Sequence, residues 1–233
     1  MLYFNNKEII DWKYNANQIN LVYNNDGVIF GKEPSSANYT LIDYVYCDAN
    51  TPAQITVNQV VDKTTAMQFK YYNIKNNGGS YIGSVGNADS NYNFRIFGYS
   101  TSSLYLDAFG TRNNVNTSNF NTTGQTYERE FGWDVDLNRK YLRNYSGEQT
   151  ELLGSSTNVF TGTSSSSFSQ SGKIIIFNGG NDLFRLYYFK LYKNKVLIND
   201  FRPAKFNDGT YGIVDTVTET EYKDTSGNLK GSE

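Results

Sequence analysis

Residues Phe184 to Pro203 read FRLYYFKLYKNKVLINDFRP. The stretch reads as a strand, a tight turn and a second strand. Tyr187, Phe189 and Leu191 fall on one face at period two, and Tyr188, Lys190 and Tyr192 fall on the other. Lys193, Asn194 and Lys195 form a polar turn before the β-branched run Val196 to Ile198. Pro203, which has no N–H for a ladder, is expected to end the second strand. One face of such a hairpin needs a core and the other carries charge, so it is expected to form one wall of a packed antiparallel sheet.

Working outward, the same grammar repeats. Tyr39 to Tyr46 alternates as a strand. Ile55 to Val61 and Ala66 to Tyr72 follow, with a turn at Asp62 and Lys63. Further strands are expected at Tyr81 to Val85, Phe94 to Tyr99, Leu104 to Phe109, Tyr127 to Leu137, Arg139 to Tyr145 and Gly172 to Phe177. Asn76 to Gly79 is a turn, and lacks the Gly-Lys-Ser/Thr ending of a phosphate loop. Asn178 to Asp182 reads as a turn before it reads as a cation loop. Asn113 to Gly124 is a polar loop or weak strand, and Ser155 to Ser171 a long Ser/Thr-rich loop. Gly212 to Asp215 and Glu219 to Lys223 close the domain, and Ser226 to Glu233 is expected to fray. No stretch has a convincing helical period. Strands separated by turn signals every 8 to 12 residues or so predict an all-β fold, a two-sheet antiparallel sandwich closed as a jelly roll.

The chain begins differently. Phe4 to Ile10, Tyr14 to Asn20 and Tyr23 to Ile29 repeat one unit: an aromatic, an Asn-rich turn, then β-formers. This predicts a short N-terminal β-hairpin repeat over residues 1–33, too thin to bury much by itself. Gly31 to Ala37 reads as a linker, and residues 38–231 as the sandwich. Phe4, Trp12, Tyr14, Tyr23 and Phe30 need a cover, either the chain's own sandwich or another subunit. The second option makes the ribbon an assembly element.

Composition narrows the chemistry. The 233 residues include 20 Tyr and 15 Phe but no His. Without histidine, Ser-His-Asp and Cys-His mechanisms are excluded, as is the usual imidazole metal ligand. Cys47 is the only cysteine. It reads as a small buried residue before a reactive thiol, and no intramolecular disulfide is available. A net charge of −2 from 21 basic and 23 acidic residues gives no field to attract nucleic acid. No apolar run approaches the roughly 18 residues of a spanning helix, and no signal peptide is visible.

Glu128, Glu130, Asp134 and Asp136 are the densest acidic group. Two carboxylates on one strand face are the glycosidase arrangement, and Trp133 beside them could stack on a sugar. The interruption at Gly132 and the spacing favour instead a solvated strand face near Arg129, Arg139 and Arg143, with a calcium site as a further option. Tyr92, Tyr99 and Tyr105 are candidates for a glycan platform, against the plainer reading of core or cross-strand pairs.

These stretches carry a resemblance. From Tyr39 to Gly231 the chain resembles the concanavalin A-like lectin/glucanase domain, of the laminin-G-like kind met in phage and prophage virion proteins. YTLIDYV at Tyr39 to Val45 resembles its opening strand. Arg185 to Pro203 resembles its late hairpin with the "DF-x-P" ending, and Gly212 to Asp215 its "GLYD" turn. Phe4 to Ile29 is similar to short repeat units at the ends of phage structural proteins. The chain departs from the pattern at Asp48 to Gln59 and at Val214. The resemblance implies a concanavalin A-like jelly roll and a non-enzymatic virion structural or attachment protein of head or tail-fibre type. It also implies virion proteins or copies of itself as partners, and a cell-surface glycan as a possible ligand. No cofactor is implied. The alternatives are a carbohydrate-binding module outside a virion, or a glycoside hydrolase.

Overall fold

The computed structural model describes the backbone of residues 2–4, 7–9, 11–15, 18–24, 27–31, 37–47, 55–75, 79–85, 94–100, 103–108, 111–116, 123–134, 139–148, 151–152, 158–162, 169–176 and 183–233. Side chains are described for 37–47, 55, 57, 62–74, 123–134, 140–148, 151–152 and 184–233. Two compact units divide the chain, Met1–Asn38 and Tyr39–Glu233.

In the first unit, β1 (Leu2–Phe4) pairs with β2 (Lys7–Ile9), and β3 (Asp11–Asn15), β4 (Gln18–Asn24) and β5 (Gly27–Gly31) form a meander. The closing pairs are Phe4 with Lys7, Asn15 with Gln18 and Asn24 with Gly27. Each leaves a two-residue link, the shortest common hairpin connection. The side chains of Phe4, Trp12, Tyr14, Tyr23 and Phe30 lie outside the described residues.

The second unit contains β6 (Tyr39–Leu41), β7 (Val45–Cys47), β8 (Ile55–Asp62), β9 (Thr65–Lys75), β10 (Gly79–Val85), β11 (Phe94–Ser100), β12 (Ser103–Ala108) and β13 (Thr111–Asn116). It continues with β14 (Thr126–Asp134), β15 (Arg139–Asn144), β16 (Asn158–Gly162), β17 (Ser169–Ile176), β18 (Leu183–Lys193), β19 (Val196–Phe206), β20 (Tyr211–Asp215), β21 (Thr220–Lys223) and β22 (Leu229–Gly231). Among the described residues there is no helix, and all pairings are antiparallel. Six strands make one sheet in the order β13-β12-β11-β10-β17-β8. Eleven make the other along β16-β15-β14-β9-β18-β19-β20-β21, with β6 beside β19, β7 beside β18 and β22 beside β7. The turn at Lys63 and Thr64 carries the chain from one sheet to the other. Ile55 and Val57 of β8 join one core cluster with Met67, Phe69, Phe131, Leu186, Phe189 and Phe201 of the larger sheet. Cys47 is buried in that cluster.

The hairpin β18–β19 turns through Asn194 and Lys195, both at positive φ (50° and 66°). That is the mirror-image turn whose twist matches two-residue hairpins. Three details depart from the sequence expectation. First, Tyr187 does not share the core face. A register shift between Leu186 and Tyr188 is a bulge, which resets the alternation. Phe184, Leu186, Phe189 and Leu191 enter the core, and Tyr187 joins Tyr188, Lys190 and Tyr192 on the opposite face.

Second, Pro203 does not end β19, which runs to Phe206. The Pro203 carbonyl accepts a bond from Ile42 N (3.0 Å). In an extended strand a residue's nitrogen points to the same side as its carbonyl, so the missing N–H faces the place where the β6 ladder stops. This also explains why Tyr39 to Tyr46 is two short strands. Beyond Leu41 the chain bends and leaves β19 for β18.

Third, the C-terminus does not fray. Leu229 N donates to Asp224 Oδ2 (2.7 Å), Leu229 is buried, and β22 pairs with β7. The stretch expected as a long loop, Ser155 to Ser171, also holds strands, β16 and the start of β17, and of the two options for Asn113 to Gly124 its start takes the strand, in β13. Both added strands β13 and β16 lie at sheet edges, where polar composition is tolerated.

Candidate functional site

Next to the bulge in β18, its pairing with β19 ends at Phe189 and Phe201. Past Phe201, β6 replaces β18 as the neighbour of β19, and β7 pairs with β18 at Leu186. An open cleft of about 360 Å³ lies at this parting. Its floor is Lys70, Glu128, Tyr187, Tyr188 and Arg202. Leu41, Ile42 and Asp43 form one wall, Gly147 and Glu148 the other. The first wall is the bend imposed at Pro203, and Ser232 Oγ fixes it by accepting Asp43 N (2.9 Å). The second follows β15, where Gly147 takes φ of 77°, a left-handed conformation that favours glycine.

The cleft face of the large sheet is polar and largely closed to water. Gln68 Nε2 donates to Glu130 Oε2 (2.9 Å) and to the Glu151 carbonyl (2.9 Å). Tyr192 donates to Gln68 Oε1 (2.9 Å), and Tyr141 to Glu130 Oε1 (3.0 Å). Arg143 lies 3.6 Å from Glu130 and 3.5 Å from Asp134, with its guanidinium over the Tyr141 ring. Burial and then Glu130 push the Tyr141 hydroxyl far up, so it stays a donor. Tyr145 to Glu148 and Glu151 lie against this face. Tyr145 N donates to the Glu128 carbonyl (3.1 Å), and its hydroxyl meets that of Tyr188 at 2.9 Å.

At the cleft, charge is paired. Lys70 Nζ is 2.9 Å from Glu128, directly across the β9–β14 ladder. Glu148 bridges two cations: Lys190 Nζ at 2.8 Å and Arg202, through Nη1 at 3.0 Å and through Nη2. Arg202 is gripped from behind by Asp200, through Nε (2.6 Å) and Nη2 (2.8 Å). The hydrogen bond from Arg202 holds the Glu148 carboxyl at about 2, against the opposing effect of burial and with help from Lys190. Its ordinary value is 4.5. A carboxyl lowered on folding stabilises fully above its unfolded value, and the gain is lost as pH falls through its folded value. The urea midpoint of the native chain is therefore expected to fall between about pH 4.5 and 2 by more than that of Glu148→Gln, with parallel curves above this window. Identical curves throughout would overturn the assignment.

Beside the cleft runs a row of half-buried tyrosines. Tyr187 meets Tyr44 edge-on at 5.8 Å, and Tyr44 meets Tyr46 at 6.1 Å. Arg185 lies 4.6 Å over Tyr44 and 5.3 Å over Tyr72. A partly exposed ring next to fixed ammonium, guanidinium and carboxylate groups suits a polyhydroxylated ligand.

Of the residues singled out in the sequence, Glu128 reaches the cleft. Glu130 shares its face but is fully buried, which corrects the expectation of a solvated strand. Arg129 is not beside these acids. It lies on the core side, 4.2 Å over Tyr127 and 5.5 Å over Tyr71. Trp133 also faces that side, packed against the core cluster beneath Lys63. Asp136 and the side chains of Tyr92, Tyr99, Tyr105 and Arg139 lie outside the described residues. Gly132 leaves room for Tyr141, whose hydroxyl is 2.8 Å from where a Cβ would stand. Among the described residues, no three His, Cys, Asp or Glu side chains group as a metal site, and no helix is long and apolar enough to cross a membrane. Tyr44, Lys70, Glu148 and Arg202 went unnoticed in the sequence because they are distant from one another along it. No known protein-family profile matches the chain, and no curated protein does.

Proposed function

We propose that this chain is a non-enzymatic virion structural or host-attachment protein whose second unit is a concanavalin A-like jelly-roll sandwich binding a surface glycan. The virion reading rests on the resemblance of Tyr39 to Val45, Arg185 to Pro203 and Gly212 to Asp215, and of the N-terminal repeat. In this reading residues 1–33 are the assembly element, joined to other virion proteins or to copies of the chain. The sandwich reading is supported by the shared core, in which Ile55 and Val57 of the smaller sheet pack with the larger.

The observation that carries glycan binding is the cleft itself, with Tyr187 beside the Lys70–Glu128 and Arg202–Glu148 pairs. Its volume lies at the lower end of the about 300–1,000 Å³ usual for small-molecule clefts. A hydrolase reading is less well supported. It needs one protonated carboxyl near neutral pH facing a second carboxylate. Glu130 is enclosed by Gln68, Tyr141 and Arg143, and Arg202 keeps Glu148 ionised. The test is a glycan array with the full chain, followed by titration of any hit. Tyr187→Ala is expected to weaken binding about tenfold, the scale of one aromatic contact. An array with no hit, or a hit indifferent to Tyr187→Ala, would overturn the cleft as the site.

A further inference from the structure

Glu148 differs from the other cleft charges in where it comes from. Lys70, Glu128, Lys190, Asp200 and Arg202 all stand on paired strands. Glu148 arrives on the connection after β15, next to the positive-φ Gly147, and its side chain is 42% exposed. It sets one carboxylate against two cations, one of which, Lys190, is only 3% exposed. The four groups Lys190, Arg202, Asp200 and Glu148 balance at two charges of each sign. With Glu148 swung away, both cations lose a carboxylate, and a half-buried positive site opens to the cleft. Arg202 then offers Nη1 and Nη2 to a carboxylate in the planar, two-pronged geometry that guanidinium prefers. Tyr187 and Tyr188 lie in the same cleft, within reach of a ring that bears that carboxylate.

We infer that the cleft recognises an acidic saccharide, one carrying a uronate-type carboxylate, and that Glu148 occupies the carboxylate position until the ligand displaces it. This rests on the glycan-binding reading above and adds the class of sugar and the residue that competes with it. A tethered carboxylate competes at a high effective concentration, so its removal strengthens ligand binding. A residue that only braced the loop would weaken binding or leave it unchanged when neutralised.

The experiment uses trigalacturonate, its carboxyl-reduced counterpart and acetate, each titrated calorimetrically into the full chain. The native protein is expected to bind trigalacturonate and not the reduced trimer. Glu148→Gln is expected to bind trigalacturonate about tenfold more tightly, and Arg202→Gln to lose it. If Glu148→Gln does not fold, the native protein's discrimination between the charged and reduced trimers decides alone. Equal binding of the two trimers overturns the acidic-sugar inference and leaves the glycan reading standing. Acetate competing as well as trigalacturonate shows a bare carboxylate site and overturns the saccharide part. Failure of both trimers, together with an empty glycan array, removes the underlying reading as well.

Discussion

Glu130→Ala is expected to destabilise the folded chain by about 3–5 kcal/mol, the cost of stripping one partner from a buried charge pair. Glu130 is fully buried and receives Gln68 Nε2 and the Tyr141 hydroxyl, with Arg143 3.6 Å away. Alanine leaves the Arg143 guanidinium, 6% exposed, with Asp134 at 3.5 Å as its remaining acidic partner among these groups. It also removes acceptors from two donors that have little water to turn to. Glu130→Gln keeps the shape and one acceptor and should cost less, about 1–3 kcal/mol. Urea unfolding of the three proteins at neutral pH measures both. A loss under about 1 kcal/mol for alanine would mean that water reaches this face, and the closed network described above would be wrong. The expected result also bears on function. A Glu130 variant that binds or reacts poorly would do so because the cleft floor has shifted, so it cannot identify a catalytic group.

What the sequence made legible follows from range. Period-two alternation is local, and it placed Tyr188, Lys190 and Tyr192 together on the face opposite the core. The Asn194–Lys195 turn is local too. The bulge at Tyr187 is not, because it shows only in the register of β18 against β9, a strand more than a hundred residues earlier in the chain. Beside it lies the cleft, where Tyr187 is turned out of the core and β18 and β19 part.

Pro203 shows the same limit. A proline reads as a strand end because it lacks a donor. Whether that matters depends on which neighbour the donor would have faced, and only the bend at Ile42 decides this. Alternation likewise put Glu128 and Glu130 on one face, but it could not say that Tyr145 to Glu148 and Glu151 lie against that face and help close one of the two off. Nor could it say that β8 and β9, one turn apart, belong to different sheets.

Phe189→Ala is expected to be at least as damaging, at about 3–5 kcal/mol. Phe189 is fully buried and stands opposite Phe69 on β9 and Phe201 on β19. The three rings form one row across the middle of the larger sheet. Phe189 and Phe201 stack at 5.7 Å with an angle of 13°, and Phe201 then meets Tyr222 edge-on at 5.7 Å. Truncating the middle ring opens a cavity between two rings whose backbones are tied by ladder bonds, so the site cannot collapse to fill it. Phe189→Leu keeps most of the volume and should cost about 1–2 kcal/mol. The row also fixes the cleft from behind. Tyr188 and Lys190 flank Phe189 in the chain and point to the other face, where Tyr188 meets Tyr145 and Lys190 meets Glu148. Guanidinium unfolding should therefore show the large loss for alanine. Proteolysis under native conditions should show earlier cutting between Tyr145 and Glu148 in the alanine variant than in the leucine one. A loss below about 1 kcal/mol would mean that the two sheets do not share the core assigned to them here.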